Sequence, residues 1–412
     1  MTFRVTLLLL AIQSATLTAA DWPQFLGPDR NGISAETGLI DSFPSDGPEV
    51  VWRAPLGVGM ANVAVADGSV VTLYQDSRHQ YVVSLDEKTG KEQWKTDVAS
   101  AYQNGQGHGP RATPTIRNGM IYVFTGDGVL AALDSKNGKL QWNVNTLDEL
   151  GGKVADYGMS SSPLLVDKTV VVHVGGRTGT VAAFNIADGK LVWQASRGSA
   201  GYSSPVLMNL AGAKQIVTIV GAAVLGINPA DGNVLWQYDY QTDYDCNTAS
   251  PVQLSDDRLL ISAGENHGST ILQVTRKGYN VGVKAVWESL GKSSVLRAEW
   301  QTPALIDGHL FGMDNMGSAG PITNLVCVRV SDGKQVWMKP RFGKSNLTLA
   351  DGKLFISNMA GELILVKAST DAFVEISRAP ILQKQTRQAP VIANGRLYLR
   401  DDNEVVCLNV KK

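Results

Sequence analysis

The sequence predicts an all-β protein, an eight-bladed β-propeller of four-stranded blades whose ring is closed by an N-terminal strand that completes the last blade. Three observations predict it. First, a phrase recurs from Ser84 to Trp94, from Ala132 to Trp142 and from Ala183 to Trp193: a small residue, an apolar one, Asp or Asn, then a Gly and finally a Trp at fixed offsets. Weaker copies run from Gly226 to Trp236 and from Cys327 to Trp337. A period of roughly 40 to 50 residues is that of a radial array. Second, Thr113-Pro114, Ser162-Pro163, Ser204-Pro205, Ser250-Pro251, Thr302-Pro303 and Ala389-Pro390 each open an apolar run, and Asn62-Val63 and Asn346-Leu347 hold the same place, which makes eight starts. Third, the chain carries 42 glycines among Val-rich runs, and no stretch has useful helical periodicity.

Residues 1–20 differ in kind from the rest. Arg4 supplies a positive start, Val5 to Ile12 an apolar run, and Thr18-Ala19-Ala20 small residues ahead of Asp21. This reads as a cleaved secretory signal. The run is too short and too interrupted for a membrane span. No Cys lies near the cleavage point, so a lipid anchor is not expected. The mature chain is expected to be soluble outside the cytoplasm, periplasmic or secreted. Residues 21–47 are an N-terminal extension, and 48–412 form a single propeller domain.

Within a blade, the Ser/Thr-Pro strand comes first, and turns such as Asn118-Gly119, Asp307-Gly308, Asp351-Gly352 and Asn394-Gly395 return the chain. Both central positions of such a turn tolerate positive φ. The Asp-x-x-x-Gly piece turns the outer hairpin, its Asp bonding backbone amides and its Gly adopting a conformation that a Cβ opposes. The closing indoles, Trp52, Trp94, Trp142, Trp193, Trp236, Trp287 and Trp337, are expected to dock between blades, each burying about 150–250 Å². Blade five stretches its turn through Thr275 to Asn280 before Trp287, and blade seven has Thr370 to Phe373 in place of the Gly and Trp. Both read as surface variation. The eighth copy stops after Cys407-Leu408-Asn409, and Gly47 to Trp52 supplies the missing outer strand. Joining the two removes every exposed sheet edge from the ring.

Composition narrows function by exclusion. With 37 basic and 38 acidic residues and no long block of one sign, nucleic acid is not an expected partner. Three cysteines are too few for a disulfide framework. Cys327 and Cys407 fill the small slot of a repeat, whereas Cys246 sits in the polar loop Tyr244 to Asn247. The five histidines show no ligand spacing. Gly105 to Gly109 lacks the Lys-Ser/Thr of a phosphate loop, and Ser160 to Ser162 reads as the start of a blade. No catalytic residue and no metal ligand is assigned.

The loops leading into the innermost strands crowd one mouth of the channel. The residue two before each strand start is Met60, Arg111, Ser160, Tyr202, Thr248, Trp300, Lys344 and Arg387, with His108, Tyr157, Asp245, Asn247, Glu299 and Asn346 nearby. The candidate ligand-binding set is Arg111, Tyr202, Trp300, Lys344, Arg387, Asp245 and Glu299. Cations around aromatic faces suit a planar or anionic ligand, such as an acidic sugar, a peptide carboxylate or a quinone polycarboxylate. The other reading is that they fill a narrow channel, the cations paired with Asp245 and Glu299.

The repeated phrase resembles the tryptophan-docking motif of the pyrroloquinoline quinone (PQQ) repeat, found in quinoprotein alcohol dehydrogenases and in the assembly lipoprotein BamB. The resemblance covers Pro48 to the C terminus. Asp21 to Pro28, with Asn31-Gly32 after it, resembles the leader of secreted PQQ-like propellers. It implies the propeller fold, while the family holds both enzymes and scaffolds. Dehydrogenases of this type carry adjacent cysteines, a calcium site and a catalytic Asp. Here no two cysteines are adjacent and no haem-type C-x-x-C-H occurs. BamB-like scaffolds carry an N-terminal lipidated Cys, which is missing too. The expected function is an exported, non-catalytic scaffold for protein or ligand interaction; the alternative is a PQQ-dependent oxidoreductase working at the channel mouth. No cofactor is assigned, PQQ and calcium being raised by the resemblance without motif support. The expected partner is a protein or a small anionic or saccharide ligand at the loop face of a monomer.

Overall fold

A computed structural model describes residues 20–317 and 322–412. The expected secretory signal therefore lies outside the described residues, except for Ala20. Eight sheets are arranged as an eight-bladed propeller of four-stranded antiparallel blades; in seven of them the strands run in sequence from the channel outwards, the last blade takes its outer strand from the N-terminal region, and the sheet of blade seven gains a short fifth strand in parallel. Blade one comprises Ala64–Ala66, Ser69–Gln75, His79–Asp86 and Glu92–Ser100. Blades two to seven span 115–145, 164–195, 206–239, 252–290, 304–339 and 345–380. Burial follows from position. Inner and middle strands lie between neighbouring blades, so both faces are covered, as at Val391–Ala393. Outer strands alternate between core and solvent, as at Asn280–Leu290.

Blade eight joins the two ends of the chain. Val391–Ala393, Arg396–Arg400 and Glu404–Asn409 receive Val50–Pro55 as their outer strand, with Trp52 opposite Cys407. The expected closure is what the structure has. Arg400 rivets the seam: fully buried, it donates to the carbonyls of Ala61 and Leu73 in blade one at 2.8 and 2.7 Å and to Thr72 Oγ1 at 2.9 Å.

The repeated phrase does the expected docking, with one addition and two exceptions. In every blade the register shifts beside the Trp position of the outer strand. Such a bulge re-aims a side chain, here turning the indole towards the next blade. Trp94 then lies on Gly138 of blade two, where a Cβ would come within 2.3 Å of its ring, and donates to the Ser135 carbonyl at 3.0 Å. Gly138 also has φ +68, so both space and conformation demand glycine. The turn Asp134 accepts the amides of Lys136 and Asn137. Trp52, Trp142 and Trp193 repeat this, with bonds to the carbonyls of Glu87, Ile186 and Pro229.

Blade five is the first exception. Its outer hairpin extends through Gly268–Lys277 and Asn280–Leu290 to a tip at Tyr279, 99% exposed. No short Asp-x-x-x-Gly turn is there to receive Trp236, which folds back onto Gly226 of its own blade and donates to Gln215 at 2.6 Å. Blade seven is the second. Ser377 stands in the register of the missing Trp, and the vacancy is filled by the extension: Leu39 and Phe43 join the core there, and the Phe43 amide donates to Ser377 Oγ. Phe373 receives Trp337 edge-on at 5.9 Å.

The leader crosses the channel. Trp22 exchanges two backbone bonds with Val65 of blade one, and Pro23 accepts the Ile116 amide of blade two. Arg30, buried, donates to the carbonyls of Ser162 and Pro163 of blade three. Ile33–Ser34 then pairs in parallel with Leu349 and Ala350 of blade seven, on the far side of the ring.

Candidate functional site

The start of each blade explains its own motif. The amide of Thr113 donates to Ser162 Oγ, that of Ser162 to Ser204 Oγ, that of Ser204 to Ser250 Oγ, and that of Ser250 to Thr302 Oγ1, at 2.9 to 3.2 Å. Each hydroxyl thus accepts from the blade before it. The two Asn starts bridge by side-chain amide instead, Asn346 to the Arg387 carbonyl and Asn62 to the Ala389 carbonyl. This belt holds the lead-in loops in register around the channel.

Above the belt all eight residues of the expected ring line one cavity of about 400 Å³. Sequence reasoning did not find its floor, made by Trp22, Phe25 and Leu26 of the leader. The leader does not repeat, so nothing in the period of the blades marks it. Gln106, Tyr244, Cys246 and Glu265 also reach the cavity.

The polar side chains differ in what they have left to offer. Arg111 is held by three backbone carbonyls, donating through Nε to Tyr157 at 2.6 Å, through Nη2 to Gly107 at 2.6 Å and through Nη1 to Gly109, with its guanidinium 4.9 Å from the centre of the Tyr102 ring. Burial lowers its pKa to about 10, which leaves it charged at neutral pH. It organises two loops. Lys344 pairs with Glu299 Oε1 at 2.9 Å and lies 4.0 Å from the Trp300 centroid. Arg387 lies 5.0 Å from the same ring and donates through Nη1 to the Gln106 carbonyl and Met60 Sδ. Two cations thus share one indole. Burial raises the Glu299 carboxyl, the Lys344 ion pair working against it, and its Oε2 is buried without a partner among the described residues.

Tyr202 accepts the Tyr157 amide on its hydroxyl at 3.2 Å, and the two rings lie 5.3 Å apart; burial pushes its phenol up. Ser160 Oγ donates to the Tyr202 carbonyl, and Thr248 Oγ1 has no partner among the described residues. Asp245 is not brought to this cavity. It accepts Ser199 Oγ at 2.5 Å and lines a neighbouring cavity of about 960 Å³ between blades, so only Glu299 of the two acidic residues pairs with a ring cation. Burial pushes the Cys246 thiol up to about 12, which keeps it protonated and a poor nucleophile.

Calcium takes about six to eight oxygen ligands. Among the described residues no three His, Cys, Asp or Glu side chains gather as a cation site, and Glu299 already faces a lysine. No helix among the described residues is long and apolar enough to cross a membrane.

Blades stapled by indole on glycine, around a channel with one blind end, define the class: a PQQ-repeat eight-bladed propeller. The chain belongs to the family described as outer membrane protein assembly factor BamB, whose model matches residues 36–176 and 150–339. BamB from Yersinia pestis is 22% identical over 357 residues, 85% of this chain and 86% of its own length. The dehydrogenase subunit of alcohol dehydrogenase (quinone) from Gluconacetobacter polyoxogenes is 32% identical over 140 residues, which is 32% of this chain but only 18% of that one. The crystal structure of quinohemoprotein alcohol dehydrogenase from Comamonas testosteroni superposes with a TM-score of 0.68 at 13% identity, covering 97% of this chain and 82% of the other. At that identity the likeness is one of fold.

Proposed function

We propose that this chain is an exported, non-catalytic propeller that acts as an interaction scaffold, its central cavity receiving a small ligand with a flat face and carboxylate groups. One observation carries the ligand class. Trp300 presents a wall of a blind cavity with Lys344 and Arg387 at its ring, and Arg387 Nε and Nη2 make no hydrogen bond among the described residues. A free guanidinium edge beside an indole face suits a planar carboxylate. A family named for outer membrane protein assembly, with a relative matched along most of its length, supports an extracytoplasmic interaction role. Trimesate, a planar tricarboxylate, is expected to raise the Tm of the native chain and to leave that of Trp300→Ala and Arg387→Ala unchanged. A full shift retained in both variants would move the site elsewhere.

The enzyme reading has its own support in the 32% identical stretch shared with the quinone-dependent dehydrogenase subunit. Reconstitution with PQQ and calcium, read by absorbance and by alcohol-dependent dye reduction, separates the two. Stoichiometric uptake with dye reduction replaces the scaffold reading; trimesate binding without turnover upholds it.

A further inference from the structure

The start of the leader meets carboxylates that lack a counter-charge. Glu36 is only 5% exposed. Its Oε2 accepts the Gly395 amide at 2.7 Å, and its Oε1 is buried without a hydrogen-bond partner among the described residues. Burial raises this carboxyl, the backbone amides of Gly395, Ala20 and Asn394 work against the rise, and repulsion from Glu87 adds to it. Asn394 ties the group together, its Nδ2 reaching Glu87 Oε1 at 3.0 Å and Asp21 Oδ1 at 3.3 Å, while the Tyr398 hydroxyl lies 3.4 Å from Glu87 Oε1. Asp21, Glu36 and Glu87 thus gather at the seam of blades eight and one. None of the three makes an ion pair among the described residues. The Ala20 backbone N–H faces the Glu36 carboxyl and lowers its pKa, while Oε1 keeps no hydrogen-bond partner among the described residues.

A buried carboxylate with an unused oxygen is destabilising unless a cation or donor completes it. An amide brings one donor and no charge. The α-ammonium made by cutting the chain at this point brings a full positive charge, with a usual pKa of about 7.7–8.0. We propose that the mature amino terminus, the α-ammonium of Asp21, docks on the Glu36 and Glu87 carboxylates, so that removal of the secretory signal completes the seam of the ring. The inference rests on the secretory reading of residues 1–20. Hydrolysis breaks the peptide bond between Ala20 and Asp21: water gives its oxygen to the Ala20 carbonyl carbon, which leaves as a carboxylate, and the Asp21 nitrogen takes up protons to become the ammonium. That nitrogen is one residue along the chain from the amide already facing Glu36. The docked terminus also pins Trp22, and with it the floor of the central cavity.

The test uses the exported protein. Its intact mass and N-terminal sequence should show a chain starting at Asp21. Selective acetylation of the α-amine should then lower the Tm by about 2–4 °C, and the same acetylation should change nothing further in Glu36→Gln. An acetylated protein with the Tm of the free amine overturns the docking, as does an acetylation effect of equal size in Glu36→Gln. The acetylation comparison on the native chain decides the matter even where Glu36→Gln folds poorly. A chain that keeps residues 1–20, or starts elsewhere, overturns the secretory reading instead, and the mass alone distinguishes that failure from a failed pairing.

Discussion

His173 sits fully buried in blade three with Nε2 2.5 Å from Thr218 Oγ1 and Nδ1 without a hydrogen-bond partner among the described residues. Burial lowers its pKa to about 4, against about 6.5 in an unfolded chain. Between these values the unfolded state binds a proton that the folded state refuses, so stability falls as pH drops from about 6.5 to about 4. Over the whole window the loss is on the order of 3 kcal/mol. Urea midpoints of the native chain should therefore fall across this range, and His173→Gln should flatten the fall. An identical pH slope in the variant would assign the effect to the carboxylates alone. At this scale the sequence reading was uneven for a physical reason. Residue type placed Arg111 at the mouth, but a residue letter does not say whether a guanidinium faces a ligand or three of its own loop carbonyls. Asp245 is near the ring in sequence, but its local left-handed backbone, φ +53, turns it to Ser199 instead.

Among elements, the outer hairpin is the unit that repeats, and its parts depend on each other across blades. The Trp of one blade and the Gly of the next form a lock whose halves lie roughly 40 residues apart in sequence. Gly138→Ala should destabilise by about 2–4 kcal/mol, because the new Cβ meets the Trp94 ring and the backbone has positive φ. In a Trp94→Ala background the steric part vanishes, so the second substitution should cost only about 1 kcal/mol. Full additivity in denaturant melts would show that the indole and the glycine do not meet. These locks were legible because they recur in register: the period exposes the Asp, the Gly and the Trp together. The bulge that aims each indole was not, since it is a backbone event with no residue of its own; Gln precedes the Trp at Gln93 and Gln141 and Val at Val192 and Val336, so no single residue type marks it. Blade five shows the other limit, where longer strands remove the receiving turn and Trp236 docks at home.

At the scale of the whole molecule, a ring of blades is only as stable as its one covalent gap. Here three devices span it: the outer strand 50–55 on blade eight, the Arg400 rivet into blade one, and the extension that runs from blade one under the channel to blade seven and fills the Trp vacancy there. The closing strand was legible because it completes a repeat split between the termini, whereas the crossing leader matches no repeat and gains its meaning only from contacts with blades that are distant in sequence. Removing residues 21–54 takes away the strand, Trp52 and the leader at once. It leaves the Glu404–Asn409 edge unpaired, Arg30 absent from blade three and the cavity open below. Loss of Trp52 alone is expected to cost about 3–5 kcal/mol, a large share of the roughly 5–15 kcal/mol that holds a domain folded, so the truncated chain should lose its cooperative melt. Restoring 48–54 while omitting 21–34 should recover the cooperative transition at a lower Tm, with the trimesate response lost along with the floor. A truncation that melts like the native chain would mean that the last blade closes the ring on three strands, and that the N-terminal strand merely covers an edge that was already stable.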